Sequence, residues 1–325
     1  MSELVTHRLH DISPKAYEHP ADRAATAALQ SIPGLDTLVR KLIEFRYERA
    51  FRQGLLASSV KLGPEQMPEL WQRYGRALAT LDLPEVYDIY LTQYPIANAA
   101  AVGAETPMIV INSAALQLFE DDELDTVIAH EAGHILSDHV LYHTALMIIL
   151  QLVPLGRIPG LPGIPLLAIR SVLLEWFRAA ELSSDRAATL VNRDPLTTCR
   201  TLMVLSGGTK STHLNLDAFL RQAQEYHEWQ SGWDRWSRLL TELNLTHSYP
   251  VRRVAELMAW IRSGDYDAII SGTYPKRTDP PPDPREHAGE AYKHYRQRFQ
   301  KIFDEAGANL ANTADRVADW LQGKR

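Results

Sequence analysis

Cysteine is nearly absent from this chain: Cys199 stands alone among 325 residues. That excludes an intrachain disulfide and any cysteine-based metal site, and it suits a reducing interior. Positive charge is not in surplus either. Thirty-four Lys and Arg against 40 Asp and Glu leave a net charge of -6, with the basic residues scattered, so the footprint for nucleic acid is missing. The N-terminal stretch MSELVTHRLHDISPKAYEHP lacks the apolar core of a signal peptide, so a cytoplasmic location is the expectation and the Asn244-Leu245-Thr246 sequon reads as accidental. Long apolar runs are scarce as well. Val140 to Gly156 carries no Asp, Glu, Lys or Arg, but it is near the lower limit of the ~20 residues of a membrane span and contains His143, Gln151 and Pro154. Arg157 ends the run and RIPGLPGIP (Arg157 to Pro165) forms a turn, with a second helix expected over Leu166 to Leu190. The expectation is a helical hairpin that is buried, or in peripheral contact with a membrane through residues 140–174, rather than two spans.

What is present describes an ordinary globular protein, 45% hydrophobic and 23% charged, long enough for one large domain or two. Ala21 to Gly54 reads as helical, broken at Ser31 to Asp36 by Pro33 and Gly34, and a further helix fits Glu65 to Leu81. No chemistry is visible in these helices. Between Val86 and Asn112 the pattern turns to β: Val86 to Tyr94 alternates, Met108 to Ser113 is a β-branched run, and Ile96 to Gly103 is a third strand candidate. Such a sheet either covers the next helix or offers an edge to an extended peptide. The fold class is therefore mainly α with a small β-sheet, α+β.

The next helix carries HEAGH, His130 to His134, within a stretch running from Asp125 to His143. At about 100° per residue, His130 and His134 fall on one face one turn apart, so two imidazoles can grip one metal ion. Glu131 emerges beside them, within reach of a metal-bound water. Leu124, Val127, Ile128, Ile135 and Leu136 give the helix a buried face, and two histidines with a carboxylate are costly there unless something satisfies them. The alternative is a helix with two unrelated histidines. A metzincin would need a glycine and a third histidine where Ser137 and Val140 stand, so that class is excluded. His139 and His143 repeat the i, i+4 spacing, but they lie away from the HEAGH face, have no carboxylate base between them and read as structural.

A catalytic zinc site uses three protein ligands and an open position. AAELSSDRAA, Ala179 to Ala188, places Glu181 and Asp185 one turn apart on the second hairpin helix. Glu181 is the natural third ligand, and Asp185 is suited to accept a hydrogen bond from a ligand histidine and fix its tautomer. The alternative is a solvated acidic face paired with Arg178 and Arg186. Farther on, Tyr226, Trp229, Trp233 and Trp236 recur at near-helical spacing, the pattern of a core stripe, and SGGTKST (Ser206 to Thr212) lacks the order of a P-loop.

Together HEAGH, ELSSDRAA and THSYPVRRVAEL resemble, in that order, the motifs of the M48 zinc metallopeptidases, the Ste24 and HtpX-like gluzincins, over about Tyr17 to Tyr274. The resemblance implies a zincin-like core, one Zn2+ per chain on His130, His134 and Glu181, Glu131 as catalytic base and Asp185 behind the ligands. It puts His247 and Arg253 at auxiliary positions near substrate, and Asn98, opening NAAAVGAETPMIVINSAAL, on the strand along which substrate lies. Ser248 stands where that family's pattern has proline, and the multiple spans of its membrane-embedded members are missing. The expected organisation is an N-terminal helical region over 1–82, a peptidase core over 83–274, and a tail over 275–325 in which KRTDPPPDP leads to a polar helix from Glu286 to about Leu321. The expected activity is zinc-dependent endopeptidase cleavage of proteins or peptides, as in protein quality control, with no nucleic-acid partner. The rival expectations are a chaperone-like or binding protein with a structural or latent zinc, its fourth position closed by a side chain such as His247, and a metal-free helical scaffold.

Overall fold

The computed structural model describes residues 7–44, 47–103, 105–152, 163–228, 248–280 and 289–305. Helices α1 (Pro20–Gln30), α2 (Leu35–Glu44) and α3 (Tyr47–Ser58) open the chain, followed by the short strand β1 (Val60–Lys61) and α4 (Pro68–Thr80). Strands β2 (Asp88–Thr92), β3 (Ala99–Val102) and β4 (Met108–Asn112) come next, then α5 (Ser113–Leu118), α6 (Asp121–Leu136) and α7 (Val140–Leu152). The rest is α8 (Gly163–Asn192), α9 (Pro195–Gly207), α10 (Leu216–Glu228), α11 (Pro250–Ser263), α12 (Asp265–Ile270) and α13 (Glu290–Glu305).

Local chemistry accounts for the boundaries. Proline occupies the start of α1, α4, α9 and α11, where its fixed φ suits a helix and its missing N–H removes no bond. Asp194 caps α9 by accepting from the Leu196 N–H at 3.0 Å. α6 begins with a reciprocal box between Glu120 and Glu123 and a run of three acids facing the positive end of the helix dipole.

The sheet has the order β1-β2-β4-β3. β2 and β4 are parallel, with Asp88 opposite Met108, and β3 is antiparallel to β4, with Ala99 opposite Ile111. β3 is thus an edge, and it lies against α6. β1 and α5 were not expected from the sequence: two residues carry no alternation to read, and α5 follows β4 without a break.

The stretch from Asp125 to His143 forms parts of two helices, which corrects the expected placement of His139 and His143 away from the HEAGH face. α6 stops at Leu136, and Asp138 takes a left-handed φ of 57° that redirects the chain into α7. The His139 N–H still donates to the His134 carbonyl at 3.0 Å, so the turn is tight and brings the start of α7 back beside the end of α6.

Among the described residues two large apolar cores follow from this route, beside a small cluster of Leu55, Tyr90, Val102 and Met108. One joins the sheet to α4, α6, α9 and α11, through residues such as Ile109, Ile128 and Leu202. The other packs α1, α2, α7 and α13 around the first half of α8, including Trp176, Phe177, Phe299 and Phe303. The expected hairpin of apolar helices is therefore an interior element, and α13, the described part of the expected polar tail, docks on α1 and α8. The hairpin tip, 153–162, and residues 306–325 lie outside the described residues. Among the described residues no helix is long and apolar enough to cross a membrane.

α6 and α8 cross closely at Gly133. A Cβ built there meets the Ala187 Cβ at 2.7 Å and the Ser184 Cα at 3.4 Å, so both neighbours belong to a rigid helix. Elsewhere Asp82 ties three segments. It accepts from the Asp11 N–H at 2.6 Å and from Arg277 at 3.1 Å, and pairs with Arg8. Burial alone would raise its carboxyl pKa; these donors outweigh that and hold it below the ordinary value.

Two outcomes are expected. Gly133→Ala forces α6 and α8 apart and lowers unfolding free energy by about 1–3 kcal/mol in denaturant titration. Asp82→Ala lowers it by about 1–3 kcal/mol at neutral pH. Because the folded pKa is depressed, the Asp82 contribution is complete above about pH 4 and disappears as pH falls through the folded value, so mutant and wild-type stabilities converge in acid.

Candidate metal centre

α6 presents His130, Glu131 and His134 from one turn, and α8 brings Glu181 and Asp185 beneath them. The His130 and His134 Nε2 atoms lie 3.2 Å apart, and Glu181 Oε1 is 3.4 Å from the first and 3.1 Å from the second. These three side chains form a group able to hold a metal ion. Donors at about 2.0–2.2 Å from a tetrahedral ion sit roughly 3.3–3.5 Å from one another, so the three atoms mark three corners of such a site.

Charge points the same way. Glu131, Glu181 and Asp185 are buried, and the buried cation facing them from α11 is Arg253. Arg253 grips both Asp185 oxygens, at 2.7 and 2.6 Å, and its Nη1 lies 2.7 Å from Glu181 Oε2. Glu181 thus divides its oxygens, Oε1 toward the histidines and Oε2 toward the guanidinium. Among these described residues, three carboxylates against one guanidinium amount to about two negative charges in a low-dielectric interior, which a divalent ion balances. Without an ion the site draws a proton instead. Burial alone would lower the His130 pKa, but Glu181 and Asp185 outweigh it and push it up to about 10. Burial drives His134 the other way, to about 3.

The surroundings orient these groups. His130 Nδ1 lies 3.1 Å from Asp185 Oδ1, leaving Nε2 for the metal position. Glu131 Oε2 accepts a 2.7 Å hydrogen bond from the Ala101 N–H on β3. His134 packs flat on Phe177 and its Nδ1 lies 3.1 Å from His139 Nδ1. The histidines expected to lie away from the HEAGH face therefore surround it. His143 Nδ1 is 3.0 Å from the Ala101 carbonyl and its ring stacks on Phe177. The Asp138 turn interrupts the helical period and carries both histidines back toward that face.

A solvated acidic face does not describe Glu181 and Asp185, which are 1% and 3% exposed. Arg186 instead donates to the carbonyls of Tyr17 and Glu18 and lies over Trp260, and the Arg178 carbonyl accepts from Ser248. Asn98 uses its carbonyl to accept from Asn112 and stands beside the cleft rather than in the metal group. His247 lies outside the described residues, as do Trp229, Trp233 and Trp236. The Ala101 contact has no signature in sequence, since any residue offers a backbone N–H.

Two cavities meet at the centre. One of about 460 Å³ opens between α6, α9 and the start of α11, with Phe119, Val127, Leu202 and Tyr249 in its wall. The other, about 160 Å³, lies toward α7, against Met147, Leu150 and Phe177. Ala99 and Asn98 border both.

The sequence pattern of peptidase family M48 matches residues 64–261, a span that includes every member of the metal group. The chain belongs to peptidase family M48. This M48 protein is 32% identical over 277 residues to the plastoglobule-localized metallopeptidase 48 of Arabidopsis thaliana, covering 82% of the present chain and 78% of that relative. It is also 30% identical over 83 residues to a protease HtpX homolog of Tropheryma whipplei, 25% of the chain and 28% of the homolog. No solved structure matches. The M48 chain is a metallopeptidase, a hydrolase of peptide or protein substrates, and its fold is the mostly helical zincin-like one with a small sheet.

Replacing Arg253 by Leu strands two buried carboxylates. Chemical denaturation of the metal-free protein is expected to show a loss of about 3–5 kcal/mol, well beyond an exposed arginine substitution such as Arg262→Leu.

Proposed function

We propose that this chain is a zinc endopeptidase in which His130, His134 and Glu181 hold one zinc ion per chain and Glu131 is the catalytic base. The observation that carries the reading is the trio of donor atoms 3.1–3.4 Å apart with a buried carboxylate on the same turn. A neutral nitrogen pair with a single carboxylate oxygen suits zinc among the common divalent ions, and no cysteine is near enough to alter that preference.

When bound, zinc supplies Lewis acidity toward a carbonyl oxygen and toward water. The chain's own residues do the rest. Glu131, aimed by the Ala101 N–H, takes a proton from the attacking water and delivers one to the departing amide nitrogen. Asp185 holds the His130 ring through Nδ1, and Arg253 holds Asp185 and Glu181, so the ligands do not reorganise as charge develops. The outward-facing edge of β3 near Ala99 receives the substrate main chain, with its side chains entering the apolar cavities on either side. The cavity walls favour extended segments with apolar side chains, the kind that unfolded proteins expose. In this reading residues 83–274 are the peptidase core, 1–82 is an N-terminal region that packs on it and 275–325 is a tail, supported by its described helix α13 lying against α1 and α8.

Glu131→Gln is expected to bind zinc with unchanged stoichiometry and to cleave an unfolded protein about 10²- to 10⁴-fold more slowly. Treatment of the wild type with a chelator abolishes cleavage and added zinc restores it. Undiminished cleavage by Glu131→Gln overturns the assignment.

A further inference from the structure

Behind His134 the structure carries a chain of polar groups that leads away from the M48-matched segment. His134 Nδ1 is 3.1 Å from His139 Nδ1, and His139 Nε2 is 3.0 Å from Asp22 Oδ2. Asp22 is on α1, upstream of residues 64–261. All three side chains are buried, His139 at 2% and Asp22 at 1% exposure. Asp22 is itself pinned: Ser183 donates to Oδ2 at 2.5 Å and Thr26 to Oδ1 at 3.1 Å. Ser183 in turn accepts from the His19 N–H at 2.9 Å, and Thr26 accepts from the Trp176 indole at 2.8 Å. Trp176 meets the His139 ring edge-on at 5.7 Å between centroids.

The proton order in this chain is decided at the metal end. His134 can offer Nε2 to a metal only if its own proton sits on Nδ1, and that proton then needs an acceptor. His139 Nδ1 is the atom in place, and it accepts only when the His139 proton is on Nε2. Asp22 holds it there, because an ionised carboxylate with two hydroxyl donors already in place is an acceptor for a ring N–H. We propose that Asp22 and His139 are positioning residues for the metal ligand His134, so that α1 completes the metal centre from outside the M48-matched segment. In this reading α1 has a role that no pattern in its sequence displays. His130 is served directly by Asp185, whereas His134 is served by a carboxylate one imidazole farther away.

The proposal rests on His134 being a zinc ligand, so the experiment measures zinc affinity by chelator competition in five full-length proteins: wild type, His134→Ala, His139→Leu, His139→Asn and Asp22→Ala. Leucine removes the acceptor while filling the space, whereas the asparagine carbonyl stands close to where Nδ1 was. His139→Leu is expected to weaken zinc binding about 10- to 100-fold, and His139→Asn to stay within a few-fold of wild type. Asp22→Ala should weaken binding as His139→Leu does, with thermal unfolding of the metal-free proteins recorded in parallel. Equal affinities for the leucine and asparagine variants, whether both tight or both weak, overturn the positioning role. If His134→Ala binds zinc like wild type, the ligand assignment itself is what fails.

Discussion

The constraint on which the centre depends is an imbalance of buried charge. Glu131, Glu181 and Asp185 face inward, and Arg253 meets them as a single guanidinium. Such a cluster is tolerable only when every oxygen has a donor and the remaining charge is balanced. The geometry meets both conditions by dividing labour. Arg253 takes both Asp185 oxygens and one Glu181 oxygen, and the other Glu181 oxygen turns to the two imidazoles, where a dication completes the neutralisation. Structural and chemical demands are therefore the same demand: the groups that suit a metal are those that the fold cannot leave alone.

The rest of the architecture brings those groups within range. α8 belongs to both cores, its first half among α1, α7 and α13 and its later residues Ala187, Ala188 and Leu190 with α6 and the sheet. Glu181 and Asp185 sit at the changeover, so the metal group lies on the seam between two apolar masses rather than within either. Gly133 lets α6 settle against α8 closely enough for the histidines above and the glutamate below to share one point. Close approach of two helices, usually a matter of packing, here sets donor distances.

Much of this was legible before any coordinates. The i, i+4 pair in HEAGH and the Glu181 and Asp185 pair each obey a helical period, and the period alone says which side chains share a face. β4 was legible as a β-branched run and β2 as an alternating one, whereas β3, a run of small residues, stood only as a candidate. Legibility ended where long-range or backbone contacts decide. No spacing rule connects Asp22 with His139, 117 positions apart in chain order by subtraction of their numbers. The left-handed Asp138 turns the chain between the two helices and places His139 and His143 beside the HEAGH face, which helical spacing does not foretell. Ala101 acts through its amide, which its side chain does not advertise.

The sheet edge has a further consequence. In an antiparallel pair alternate residues direct their main chain away from the partner strand, and with Asn98 bonded to Asn112 those of β3 are Ala99, Ala101 and Gly103. Ala101 already serves Glu131 and His143, while Gly103 exchanges hydrogen bonds with Thr144. The edge is thus a siding closed at one end by the protein's own helices. A visiting strand cannot extend the sheet along its full length, so this border is protected from indiscriminate pairing with other chains. It also means that few backbone contacts are on offer, and discrimination among visitors shifts from the ladder to the shapes of the two hollows beside it.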